Sequence, residues 1–113
     1  MKVFFAYMTA GNMDEARRIS RDLVENRLAA CVNIIGGMTS VYRWEGNTEE
    51  ESEISLIAKT TEEALPDLVG RVKSIHSYQI PCVVGIPTEG GNRDFIRWIE
   101  SEAAGSGGKL TSS

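Results

Sequence analysis

His76, Cys31 and Cys82 are the side chains of this sequence with the strongest coordination or nucleophilic chemistry, since its 113 residues include one histidine and two cysteines. Neutral imidazole and thiolate favour copper(I), zinc and similar ions over magnesium or calcium, which take oxygen ligands. Each residue also has a plain structural reading. Cys31 sits inside the apolar segment Leu28-Ala29-Ala30-Cys31-Val32-Asn33-Ile34, where cysteine acts as a small hydrophobe. His76 falls at the end of an expected helix, where the negative end of the helix dipole suits a capping or hydrogen-bonding role. Lys59 closes an otherwise apolar stretch and either pairs with a carboxylate, snorkels to water, or presents an ammonium to an anion beside Tyr42, Trp44 and Tyr78.

Other chemistries lack their residues. Two cysteines 51 positions apart, with no CxxC and no second histidine, make neither a standard zinc framework nor a thioredoxin-like redox motif. No Ser-His-Asp order or G-x-S-x-G elbow occurs, so His76 with Cys31 or Cys82 is the sole Cys/His pair for catalysis, and a non-enzyme is expected. A formal net charge of −4 argues against general nucleic-acid binding. Gly36-Gly37 and Gly90-Gly91 read as a bend and a helix approach rather than a phosphate cradle.

The elements that must position these groups follow from periodicity. Hydrophobic residues at 42% and charged residues at 25% fit one globular domain. It is expected over residues 1–103, with 104–113 a flexible tail whose Gly/Ser-rich composition fits an added linker. Met1 to Met8 is apolar on both alternating sets and reads as a central strand rather than a signal peptide, because Asn12 to Glu15 turn polar at once. Asn12 and Glu15 open a helix over Met13–Arg27 with Ala16, Ile19, Leu23, Val24 and Leu28 inward. Strands are expected at Ala29–Ile35, continuing past a glycine bend to Trp44, at Ile54–Lys59 and at Ile80–Pro87. The acidic run Glu49–Glu51 reads as a solvated hairpin arm. A second helix starts at Thr60 or Thr61 with Pro66 in its first turn, and a short third one turns Phe95, Ile96 and Ile99 inward.

The order β-α-β-β-α-β plus a terminal helix is the ferredoxin-like α+β pattern, with the first and second strands parallel and the third between them. Two helices cover one sheet face, yet the strands are apolar on both. Copies of the chain are therefore expected to pack sheet on sheet. Apolar runs are far shorter than the ~18 residues of a membrane span, and free thiols without a leader point to the cytoplasm.

Five motifs in register sharpen this reading. They are Leu28-Ala29-Ala30-Cys31-Val32-Asn33-Ile34; Ser40-x-Tyr42-x-Trp44-x-Gly46; Lys59-Thr60-Thr61; His76-x-Tyr78-x-x-Pro81; and Phe95-x-x-Trp98-Ile99. Over about residues 1–102 the sequence resembles the CutA divalent-cation-tolerance family, whose fold is PII-like. The resemblance implies a homotrimer with inward-facing sheets and long hairpins crossing subunit boundaries, with Tyr42 and Trp44 at the interface. It also implies weak binding of copper or zinc and a part in cation tolerance. In such a trimer Cys31, His76 and Cys82 from neighbouring chains can share one cleft, and a PII-like regulator or scaffold with a small ligand or protein partner there is the alternative. The family's usual His-Pro-Tyr-x-x-Pro-Glu is here His76-Ser77-Tyr78-Gln79-Ile80-Pro81-Cys82. Ser77 is expected to loosen the turn, and Cys82 removes a carboxylate from near the cleft.

Overall fold

Local sequence signals set the ends of the first helix in the computed structural model, which describes residues 2–104. Strand β1, Val3–Ala10, leads to helix α1, Met13–Glu25. The Asn12 side-chain oxygen accepts the Glu15 N–H at 2.8 Å, satisfying one orphan donor of the first turn. Ala16, Ile19 and Leu23 are buried along one stripe, but Val24, expected inward, lies past its edge and is 41% exposed. The helix also stops short of the expected Arg27. Arg27 takes a left-handed backbone (φ 60°), its N–H reaching the Val24 carbonyl and the Leu28 N–H the Leu23 carbonyl. This double closure turns Leu28 back into the core.

Next come β2, Cys31–Trp44; β3, Asn47–Thr61; α2, Leu65–Ile75; β4, Val83–Pro87; and α3, Arg93–Glu102. The sheet order is β2-β3-β1-β4 with every neighbouring pair antiparallel, so β1 and β2 run the same way on either side of β3, as expected. The ferredoxin-like α+β arrangement stands, and the tail expectation falls, beyond Ala104, outside the described residues.

The central hairpin departs most from expectation. Strand β3 begins at Asn47, seven residues before the expected Ile54, because the acidic segment pairs residue by residue with the far half of β2: Tyr42 with Glu49, Ser40 with Glu51, Met38 with Glu53. Positive φ at both Glu45 and Gly46 makes the two-residue turn whose twist matches the strands. A register shift between Ile35 and Met38 realises the glycine bend, Gly37 taking φ 76°. Helix α2 starts later than expected, because Thr60 and Thr61 stay in the sheet. The Thr60 hydroxyl donates to the Leu28 carbonyl at 2.7 Å, and the Thr61 hydroxyl donates to the Ala103 carbonyl and accepts the Ala64 N–H. Pro66 lies in the first turn of α2 as expected. Strand β4 is shorter than expected, leaving residues 76–82 as a loop.

Alternation divides the sheet into two faces. Ala6, Met8, Ala10, Leu56 and Ala58 join Ile19, Leu23, Leu68 and Val72 in the main core. The opposite face carries Phe5, Tyr7, Ile57, Ile35, Val84 and Ile86. Helix α3 covers one end of that second face, where Ile99 and Ala103 are buried with Val3 and Ala30 against Phe5 and Ile96. Phe95, expected inward, is instead exposed and stacks on Trp98 at 5.8 Å. The rest of the face stays open, with Val84 56% and Ile86 51% exposed.

Arg27 ties α1 to α3 by donating to the Ser101 and Glu102 carbonyls at the negative end of α3. This clasp offsets its left-handed strain of roughly 1–2 kcal/mol. Arg27→Gly keeps the backbone and loses the clasp, whereas Arg27→Ala loses the clasp and keeps the strain. Chemical denaturation at matched concentration is expected to rank wild type above Arg27→Gly above Arg27→Ala, each step about 1 kcal/mol.

Candidate functional site

Where the hairpin arm rises from the sheet, the open face deepens into a groove of about 530 Å³. Strand alternation delivers its walls: Tyr7 and Thr9 from β1, Tyr42 and Trp44 from β2, Glu51 and Glu53 from β3. The loop before β4 closes the remaining side with Tyr78, Ile80 and Cys82.

That loop is held from behind. The His76 ring is fully buried, its Nε2–H donating to the Thr9 carbonyl at 2.8 Å while Nδ1 accepts the Tyr78 N–H at 3.0 Å. Ser77 donates twice to the Glu15 carboxylate, from its N–H at 2.8 Å and its hydroxyl at 2.9 Å. The expected loosening by Ser77 is therefore wrong: a proline has neither donor, and serine pins the loop to α1. Both Glu15 oxygens take part in this cross-link, and the carboxylate also meets the Arg18 guanidinium of its own helix at 3.4 Å and the Gly11 N–H. Tyr78 crosses over the backbone of Gly11, where a Cβ would stand 3.3 Å from its hydroxyl, and donates to Glu53 at 2.7 Å.

Charge in the groove has one sign. Among the described residues no lysine, arginine or histidine lines it. Burial, then the charge of Glu53, pushes the Cys82 thiol up, against a weaker hydrogen bond to Thr9, so the thiol stays protonated at neutral pH. Burial and the hydrogen bond to Glu53 raise Tyr78 well above the ordinary phenol value. Desolvation followed by Glu51, Glu49 and Glu53 raises Tyr42 in the same direction.

Of the residues singled out by sequence, Tyr42, Trp44, Tyr78 and Cys82 meet at this groove. The rest do not. Lys59 lies further down the open face, buried, donating to the Asn33 side-chain oxygen and standing 5.6 Å from the Phe5 ring centre. Cys31 faces Lys59 across the β2–β3 ladder. Three strand spacings and about four residues separate it from Cys82, on the order of 20 Å. Among the described residues no three histidine, cysteine or acidic side chains of one chain converge as a metal site. Sequence reasoning missed Tyr7, Thr9, Glu51 and Glu53. Their signal was the odd-numbered alternation through β1 and β3, hidden because the acidic run read as an arm without strand pairing.

An antiparallel sheet of four strands, two helices on one face and a third over part of the other, with a long arm and an acidic, aromatic groove at its base, defines a ferredoxin-like α+β protein. The family described as CutA1 divalent ion tolerance protein matches residues 4–102, and the chain belongs to that family. The divalent-cation tolerance protein CutA of Thermus thermophilus is 47% identical over 92 residues, covering 81% of this chain and 89% of that protein. Human protein CutA is 42% identical over 94 residues, 83% of this chain and 52% of that longer protein. Among solved structures, the Thermus thermophilus protein Cut A1 superposes with a TM-score of 0.87 at 43% identity, covering 88% of this chain and 97% of that one. A CutA of Archaeoglobus fulgidus described as periplasmic gives 0.86 at 40% identity, covering 89% and 98%.

The Glu15 cross-link makes an acid-sensitive contribution to stability. Burial alone would raise its pKa, but the two Ser77 hydrogen bonds and the nearby His76 hold it below the ordinary 4.5. A depressed folded pKa stabilises fully above the unfolded value, and that contribution is lost as pH falls through the folded one. Glu15→Gln is expected to cost about 2 kcal/mol at pH 7. Below about pH 4.5 the gap from wild type should narrow, as read by urea midpoints across pH.

Proposed function

We propose that this protein is a cytoplasmic homotrimer that binds soft or divalent metal ions weakly and contributes to cation tolerance. The observation that carries the reading is the acidic, thiol-bearing groove opening onto an apolar sheet face that a single chain leaves uncovered. Stacking such faces among three copies removes the apolar surface from water and brings the groove of one chain towards the Cys31 edge of another. In that arrangement Cys82 and a neighbour's Cys31 form a soft sulfur pair for copper(I) or zinc, with Glu53 supplying a local negative charge. His76 joins the ligand set only by releasing Thr9. Binding must displace the proton that burial keeps on Cys82, which lowers affinity near neutral pH and fits a weak, exchangeable site. The tolerance role in the relatives' names agrees with this, and no catalytic step is assigned, since His76 is engaged behind the loop and the Cys82 thiol stays protonated.

A second reading has its own observation. A groove of about 530 Å³ with four aromatic side chains is larger and more apolar than a bare ion needs, and suits a small organic ligand of a PII-like regulatory trimer.

Isothermal titration with copper(I) and zinc decides the metal reading. Cys82→Ser and Cys31→Ser are each expected to weaken binding tenfold or more, and His76→Ala to weaken it if the ring is released on binding. Unchanged affinity in all three removes these ligands from the site.

A further inference from the structure

The geometry points to the groove at the base of the hairpin arm as a binding site for an organic ammonium ion, a cationic head group carrying a short apolar chain. This rests on the second reading above, a ligand in the groove, and not on the metal reading. Four aromatic side chains, Tyr7, Tyr42, Trp44 and Tyr78, line a single cavity with Glu51 and Glu53. Aromatic faces attract a cation through their quadrupole, most strongly when it carries alkyl groups that shed water easily. Carboxylates beside them add a Coulombic attraction that an uncharged ligand of the same shape does not feel.

The alternatives fit less well. An anion was one of the readings open for Lys59 in the sequence, but that ammonium lies outside the groove with its own partners, Asn33 and Phe5. Among the described residues no basic side chain lines the cavity, so an anion would face Glu51 and Glu53 uncompensated. A hydrated metal ion would use the carboxylates and leave the rings idle. The volume, about 530 Å³, exceeds what a head group fills and leaves room for a chain against Ile80. The upward shifts of Tyr42, Tyr78 and Cys82 each owe something to neighbouring carboxylates, and so report the same negative field from three sides. Glu53 is already oriented by the Tyr78 hydroxyl, and the loop carrying Tyr78 is pinned by Glu15 and His76. The cage is thus largely formed before a ligand arrives.

Trp98→Phe leaves Trp44 as the one tryptophan, so its fluorescence reports the groove. Choline is titrated against 3,3-dimethyl-1-butanol, its uncharged isostere, and against inorganic phosphate, all with EDTA present to remove metal ions. Choline is expected to change Trp44 emission saturably, with the isostere at least tenfold weaker and phosphate silent. Calorimetry in the same buffer should find choline binding weakened about fivefold or more by Tyr42→Leu and by Glu51→Gln. Equal binding of choline and its isostere, a larger response to phosphate, or no saturable response would overturn the proposal. The last result, obtained with a protein that still binds copper or zinc, would remove the ammonium ligand from the groove while leaving the metal reading intact.

Discussion

A four-stranded sheet has two faces, and this chain has helices enough for one and a fraction of the other. Helices α1 and α2 bury Ala6, Met8, Leu56 and Ala58 completely. Helix α3 reaches only the end of the second face marked by Val3 and Phe5. Ile35, Val84 and Ile86 are left facing water on a surface whose middle already holds Phe5, Tyr7 and Ile57. At roughly 25 cal/mol per Å² of apolar area, covering even part of this face outweighs the modest gains available from surface ion pairs. Assembly and the shared-cleft chemistry proposed above both follow from that imbalance.

The same face explains why the groove sits where it does. Beyond the glycine shift the β2–β3 hairpin continues without helices beneath it, which gives the molecule its long dimension of 48 Å against 28 and 23 Å. Residues that alternate towards the open face change there from apolar to aromatic and acidic: Ile57, Ser55, then Glu53 and Glu51 on β3, and Tyr42 on β2. The loop before β4 closes over this region because α1 anchors it from the other side of the sheet edge through Glu15. Core packing and groove shape are therefore linked by one buried carboxylate that touches no ligand itself.

Much of this was legible in the sequence. Helical spacing located all three helices, Asn12 and Pro66 marked two starts, and the two-sided apolar pattern of Met1 to Met8 gave both the central strand and its uncovered face. Long-range contacts were not legible. The acidic run became strand only by pairing with Met38–Trp44, which no local propensity announces. Arg27 ends α1 in a left-handed conformation that glycine usually marks, so the helix looked longer than it is. Val24 and Phe95 fell at stripe edges, where one residue, about 100° of helix rotation, separates core from solvent. In the site, Tyr42, Trp44, Tyr78 and Cys82 could be named from residue type, but Tyr7 and the grouping of these side chains could not. Lys59 and Cys31 proved to belong to one end of the sheet and Tyr42, Tyr78 and Cys82 to the other.

The uncovered sheet face is tested most directly by the mass of the particle in solution. Sedimentation equilibrium at micromolar concentration is expected to give a single species of three chains, each of 12.4 kDa, with no dissociation on tenfold dilution. A stable particle of one chain at those concentrations would show that the face tolerates water, and would remove the basis for assembly and for any site shared between chains.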